Sequence, residues 1–279
     1  MDVRLNRLFF RATSSGTLPR FSGGMARGML FSALKNHDKH AAQMIHDQEG
    51  IKQYSLSGFR KIYTDTLSVM DRQMGQNRRK RRDKMIHPGD ILYFDVATSS
   101  EQLQGSLPAA FQEKWEADKS AVDMDPLQIK EAEVQAILGK EIPNPIRIRF
   151  ITPVSFTTGH TYSVWPEPKS MMQNLTSIWN VWFPEAQINA SEILEPHAQN
   201  IRIISAEGKV IGANAAKNMK HVGWTGEVQY TSEDEVSFGI FSNLLKLGFI
   251  TGVGRGRTAG LGRFYFPRIL HSDKLISII

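Results

Sequence analysis

The sequence predicts an α+β protein of two tandem ferredoxin-like (RRM-like) βαββαβ domains, residues 1–142 and 143–279. Three observations predict it. Between residues 3 and 138, stretches of strand and helix periodicity follow the order β-α-β-β-α-β, the split βαβ arrangement. The proline pair of "IPNP" (142–145) then interrupts the chain. After it a similar order begins again and ends near residue 266.

In the first domain, "VRLNRLFFRA" (3–12) has the mixed alternation of a strand. A helix is expected from about Met25, because Met29, Leu30, Ala33, Leu34, His37, Ala41, Met44 and Ile45 recur at steps of three and four. That stripe predicts a buried His37 and leaves His40 facing solvent. "YSLSGFRKIY" (54–63) and "DILYFDVAT" (90–98) read as strands. "SLPAAFQEKWEADKS" (106–120) reads as a helix with Pro108 near its start, where proline is tolerated. "IKEAEVQAIL" (129–138) closes the unit.

In the second domain, "IRIRFITPVSF" (146–156) is the first strand, and "EPKSMMQNLTSIWNVWF" (167–183) is a helix with Met171, Leu175, Ile178 and Trp182 on one side. "IRIIS" (201–205) and "WTGEVQY" (224–230) come next as strands. "EDEVSFGIFSNLLKLG" (233–248) is a helix with acidic residues in its first turn, where the dipole favours them, and with Gly248 at its C-terminal cap. "GRFYF" (262–266) is the last strand.

Composition bounds the function. An apolar content of 41% over 279 residues supports packed cores. The absence of cysteine excludes disulfides and thiolate zinc sites, and fits a cytoplasmic location. "MDVRLNRLFF" lacks the apolar core of a signal peptide. No apolar run approaches the ~18 residues of a membrane span, so no membrane partner is expected. Of the net charge of +6, "RRKRRDK" (78–84) supplies +5, so the basic character is mostly one segment within a basic loop at 72–84.

The densest chemical signal is "GVGRGRTAGLGRF" (252–264). Glycine is required where backbone takes positive φ or approaches something closely. Gly252, Gly254, Gly256, Gly260 and Gly262 are expected to expose amides that cradle an anion, and Arg255, Arg257 and Arg263 to supply forked donors for phosphate. No glycine here precedes Lys-Ser or Lys-Thr, so this is not a P-loop. Gly254-x-Gly256-x-x-Ala259 fits a loose dinucleotide fingerprint, but a helix precedes it and a strand comes after, the reverse of what that motif needs. A nucleic-acid backbone is the ligand that fits.

With this loop placed after the last helix of a second ferredoxin-like domain, the sequence resembles the CRISPR repeat-processing endoribonucleases of the RAMP superfamily. Two further stretches carry the resemblance. "MIHDQEGIKQYSLSGF" (44–59) is similar to the family's helix end, histidine, loop and strand, and "ITPVSFTTGHTYSVWPEP" (151–168) to the opening of its second domain. The resemblance implies cutting of precursor CRISPR RNA within each repeat, without metal or other cofactor. The ribose 2′-OH attacks the adjacent phosphate and expels the 5′-oxygen of the next nucleotide. It also implies that the mature guide RNA is bound and passed to other subunits of an interference complex.

In-line attack of this kind needs proton transfer and positive charge at the phosphorane. The resemblance makes His46 the catalytic histidine, as base or as acid. Its place at a predicted helix end beside Asp47 would favour the imidazolium. Lys52, six residues on, is a candidate to neutralise the transition state, and Tyr54 and Ser57 are candidates by proximity. Arg27, near the start of the same helix, is a candidate phosphate contact. The expected RNA-binding set is therefore Arg27, Gly254, Arg255, Gly256, Arg257, Gly260 and Arg263. No grouping of carboxylates or histidines predicts a metal site. The alternative is a non-catalytic RNA-binding subunit of the same superfamily, which would have no need of His46. A nucleotide-metabolising enzyme lacks a supporting motif.

Overall fold

A computed structural model describes residues 2–62, 85–113, 122–132, 134–159, 161–216 and 219–267. The basic loop at 72–84 lies outside the described residues.

The first sheet contains β1 (Arg4–Ala12), β3 (Tyr54–Leu56), β6 (Ile91–Thr98) and β7 (Met124–Ala132) in the order β3-β6-β1-β7, all pairs antiparallel. The second contains β8 (Ile146–Val154), β11 (Arg202–Ala216), β12 (Met219–Thr231) and β13 (Phe264–Tyr265) in the order β11-β12-β8-β13. In both sheets the first strand of the unit lies between the third and the fourth. That is the ferredoxin-like order, and it occurs twice, as the sequence predicts.

Two helices stand where the stripe from Met25 predicts one. α1 (Gly23–His37) ends at Asp38, whose carboxylate accepts from the Ala41 amide at 2.9 Å and so caps α2 (Lys39–Asp47). An N-cap carboxylate takes a donor that an unbroken helix would have used itself. The break at Asp38 shifts the apolar stripe out of register, so His37 is exposed rather than buried, and Met44 is 48% exposed although it fits the stripe. The expected strand at 54–63 is divided into β3 and β4 (Arg60–Lys61) around Gly58. There Ser57 Oγ accepts from the Asp95 amide at 2.8 Å and Ser22 Oγ from the Phe59 amide at 2.7 Å, in place of ladder partners. β2 (Gly16–Thr17) and β5 (Met85–Ile86) form a small separate ladder.

The remaining shifts have local causes. α3 (Glu101–Ala110) starts earlier than expected because Ser100 caps it, which puts Pro108 near its end. The stretch expected to close the first unit splits between the end of β7 and α4 (Val134–Leu138). In the second unit α5 (Pro168–Trp182) matches its apolar stripe. α6 (Ala190–Ala198) was not expected, its pattern being interrupted by Pro196. β9 (Phe156–Thr158) and β10 (Thr161–Ser163) form a short hairpin. β11 and β12 run far longer than the apolar patches that marked them. α7 (Glu235–Thr251) passes through Gly248 and ends at Gly252, with φ +71. A Cβ on Gly248 would lie 3.0 Å from a Leu175 methyl, so this glycine serves helix packing and not a cap.

Each sheet covers its helices with apolar side chains. Leu8, Phe10 and Phe94 pack on Met29, Leu30 and Leu34 of α1. Ile148, Phe150 and Val228 pack on Leu175, Ile178, Leu244 and Leu245 of α5 and α7. A fully buried side chain of this size contributes about 1.5–3 kcal/mol. The second core extends into the first unit through Leu5, Ala97, Ala132 and Ile137, so the two units share buried surface. Arg7, 1% exposed, pairs with Asp95 at 2.6 Å and lies 4.2 Å from the centre of the Tyr93 ring.

Candidate active site

The last turn of α2, the strand β3 and the glycine-rich loop come together along the seam between the units. His46 lies in the last turn of α2 with its side chain 54% exposed. Its Nδ1 lies 3.0 Å from Asp47 Oδ1, and its ring stands edge-on to Phe31 at 5.7 Å. The Asp47 carboxyl is held below its usual range, first by the hydrogen bond to His46 and then by the one from Gln43. Phe31 is also 5.8 Å from the Tyr54 ring and 5.8 Å from the Arg27 guanidinium carbon, so one apolar ring organises three polar residues.

Lys52 Nζ donates to the His46 carbonyl at 2.9 Å. This closes the turn between helix and strand and places an ammonium beside the histidine. Burial lowers the Lys52 pKa, and the nearby Arg27 lowers it further. The Lys52 carbonyl faces the other way, into the second unit. There it accepts from Trp182 Nε1 at 3.1 Å and from Arg257 Nη2 at 3.3 Å. Gln53 Nε2 adds a bond to the Val181 carbonyl at 3.2 Å. Tyr54 is 0% exposed. Its hydroxyl makes no hydrogen bond of good geometry among the described residues, although Thr258 and Arg27 lie near it. Burial dominates and raises its pKa. Of the three residues expected to act chemically, His46 and Lys52 reach the surface and Tyr54 does not. Ser57 is taken up by the β3–β4 break.

The loop does not expose its backbone in the way its glycines suggest. The Gly254 amide donates to Asn174 Oδ1 at 2.7 Å, Arg255 to the Ser155 carbonyl at 2.9 Å, Gly260 to Arg257 at 3.1 Å, and Gly262 to Pro153 at 2.9 Å. The amides of Gly254 and Gly260, expected to face RNA, are therefore engaged internally. What these positions require is room and positive φ. A Cβ on Gly262 (φ +66) would lie 1.7 Å from the Val253 carbonyl oxygen, and one on Gly260 (φ +74) 3.0 Å from the Gly58 amide. Gly23 of α1 meets the loop the same way, with the Ala259 oxygen 2.1 Å from where a Cβ would sit. Among the described residues, the amides of Gly256, Arg257 and Thr258 are left without partners.

The arginines divide. Arg255 is partly exposed and makes no ion pair among the described residues. Arg257 and Arg263 are each 6% exposed, and burial brings both pKa values down to about 10. Arg263 donates through Nε to the Leu56 carbonyl at 3.0 Å and through Nη1 to the Ile250 carbonyl at 2.6 Å, tying β3 to the end of α7. Its position differs from the expectation of a phosphate contact, because its guanidinium is enclosed and spent on backbone carbonyls. Arg27, half-buried in the second turn of α1, faces the His46 side of the seam. Trp182, Phe31 and Asn174 also build the site, although nothing in the sequence marks them for it. Their only signal is an apolar or polar pattern shared with ordinary packing.

Among the described residues no cluster of histidines and carboxylates could hold a metal ion, and no helix is long and apolar enough to cross a membrane. The family described as CRISPR-associated endoribonuclease Cas6 matches residues 148–264. No curated protein matches the sequence. Among solved structures, a Cas6 product complex superposes with a TM-score of 0.66 at 14% identity, covering 95% of this chain and 98% of that one. Thermus thermophilus Cas6 gives 0.64 at 15% identity, covering 94% and 97%. The product of a Cas6-related gene from Pyrococcus furiosus gives 0.59 at 11%, covering 97% and 100%. At these identities the structural likeness is one of fold, and it extends over both units.

Proposed function

We propose, on the premise that this chain belongs to the Cas6 family of CRISPR-associated endoribonucleases, that it cuts precursor CRISPR RNA within its repeats by metal-independent attack of a ribose 2′-OH. The observation that carries this reading is the meeting of His46, Lys52 and Arg27 on one side of the seam, with Lys52 bonded to the His46 carbonyl. The 2′-oxygen forms a bond to phosphorus and loses its proton to a base. The bond from phosphorus to the 5′-oxygen breaks, and that oxygen takes a proton from an acid. The products are a cyclic phosphate and a 5′-hydroxyl.

His46 takes one of the two proton roles, since it is the imidazole of the cluster and its ring is open to substrate. Lys52 and Arg27 supply charge for the phosphorane. Tyr54 enters as a support beneath them, and Arg257 as the donor that holds the Lys52 backbone. The boundary near residue 143 divides the half that carries the chemistry from the half that positions it.

Single-turnover assays on repeat RNA test the reading. Cleavage is expected to persist in excess EDTA. It is expected to stop when one deoxyribose replaces the ribose 5′ of the scissile phosphate, with binding retained. Restoration of an EDTA-abolished activity by magnesium would overturn the mechanism. The second reading, a non-catalytic RNA-binding subunit, is favoured by the enclosure of the Tyr54 hydroxyl, which takes one of the three candidate proton-transfer groups out of reach of substrate. Tight binding with no cutting by the wild-type protein would select it.

A further inference from the structure

A second cluster lies on the opposite shoulder of the glycine-rich loop. The β9–β10 hairpin presents Tyr162 at 63% exposure, and the guanidinium carbon of Arg255 lies 4.0 Å from its ring centre. Backbone contacts build that stack. Arg255 donates its amide to the Ser155 carbonyl and Gly254 donates to Asn174. Gly254 has φ +78, and a Cβ there would lie 2.4 Å from the Ser155 oxygen, so the loop can settle on the hairpin only with glycine at this position.

His221, 7% exposed on β12, flanks the cluster. Its Nε2 is buried without a partner among the described residues. Burial, and then the Arg255 charge, lower its pKa, which keeps a second cation out of the site. Arg255 has no carboxylate partner among the described residues, so its charge faces outward unneutralised.

We propose that Tyr162 and Arg255 form a nucleotide subsite for a single-stranded part of the RNA, in which a base stacks on the open face of the Tyr162 ring and Arg255 takes the adjoining phosphate. This rests on the RNA-binding reading above. An aromatic face beside a forked cation matches the repeating unit of a single strand, a π-surface joined to a phosphate. An acidic peptide would use the arginine and leave the ring unexplained.

The test is equilibrium binding of repeat RNA with 2-aminopurine placed in turn at each single-stranded position. Quenching is expected at one position in the wild type. Tyr162→Ala should relieve that quenching and weaken binding roughly 5- to 150-fold, the range of one base stack. Tyr162→Phe should retain both, because the stack uses the ring and not the hydroxyl. Arg255→Gln should lower the slope of log K against log salt by about 0.7, one phosphate contact on a single strand, whereas Tyr162→Ala should leave the slope unchanged. Wild-type affinity and quenching in Tyr162→Ala would overturn the subsite while leaving the proposed function intact. Sensitivity to Arg255→Gln alone would leave a phosphate contact without the base, and that too would overturn the subsite. No RNA binding by the wild type would overturn the proposed function itself.

Discussion

The segment 46–56 and the loop 252–263 face each other across the seam, and they use their backbones in opposite ways. In the loop, amides are engaged within the second unit, at Ser155, Pro153 and Asn174 or by the loop's own carbonyls. In the segment, whose amides pair within the first unit, the backbone bonds that reach across the seam are made at acceptors. The carbonyls of His46, Lys52 and Leu56 receive side-chain donors, two of which come from loop arginines. One region is fixed by what it gives and the other by what it takes. Held this way, the segment keeps the side chains of His46 and Lys52 at the surface, open to substrate. A loop held by its amides is committed to shape. Chemistry is therefore expected on the first and structural strain on the second, although glycines and arginines made the loop the more eye-catching of the two in the sequence.

His46→Ala should show the largest effect. Loss of one general acid or base costs about 10²–10⁴ in rate. The single-turnover rate should fall by that much, with RNA affinity within a few-fold and the melting temperature unchanged, because an exposed ring at a helix end carries little packing. His37→Ala and His40→Ala, both on exposed positions, should match the wild type. A melting temperature that falls with the rate would break the comparison, since the segment would then be structural as well.

Gly262→Ala should do the reverse. Its Cβ has no room, and its φ of +66 is poorly suited to a side chain, so destabilisation on the order of 3 kcal/mol or more is expected. Arg263→Met leaves the Leu56 and Ile250 carbonyls unpartnered in the interior and should cost about 1–3 kcal/mol. Thermal unfolding at matched conditions measures both. Full stability in both variants, with RNA binding lost, would return the loop to the role its sequence suggested.

The smallest effect is a shift along the pH axis, separate from any loss of rate when the Arg27 charge itself is removed. Arg27 lowers the Lys52 pKa, although burial is the larger cause. In Arg27→Gln, Lys52 should keep its proton to higher pH. If its ammonium serves the transition state, the alkaline limb of the single-turnover pH profile should move slightly upward. A limb that stays in place, or moves down, would separate Lys52 from the chemistry.

The sequence showed most clearly what is periodic. β8 and α5 carry apolar patterns of one period, β1 a mixed one, and all three lie close to where those patterns place them. The division between α1 and α2 was hidden because Asp38 sits between two apolar stripes that a continuous helix would also produce. The length of β11 and β12 was hidden because "GKVIGANAA" has little strand propensity of its own and is held by its ladder. The candidate site was legible only through the resemblance, since no local pattern announces that His46 and Arg257 will share a seam. The glycines were legible as a need for close approach. What approaches closely proved to be the protein's own chain, at Gly58, Gly23 and Val253.

The Lys52 carbonyl, gripped from residues 130 and 205 positions further along the chain, also bears on the protein's birth. Arg263 reaches back across 207 positions to the strand that begins two residues later. Such contacts form late, because each must first close a long loop of chain. During synthesis, an N-terminal half that has already left the ribosome can brace His46 through Phe31, Asp47 and Lys52, but lacks the donors that fix the Lys52 carbonyl from the second unit. The complete grip on β3 exists only once residue 263 has emerged. If the proposed cleavage holds, a chain that stops short of residue 263 should lack it, because the contacts that grip β3 from the second unit would be incomplete.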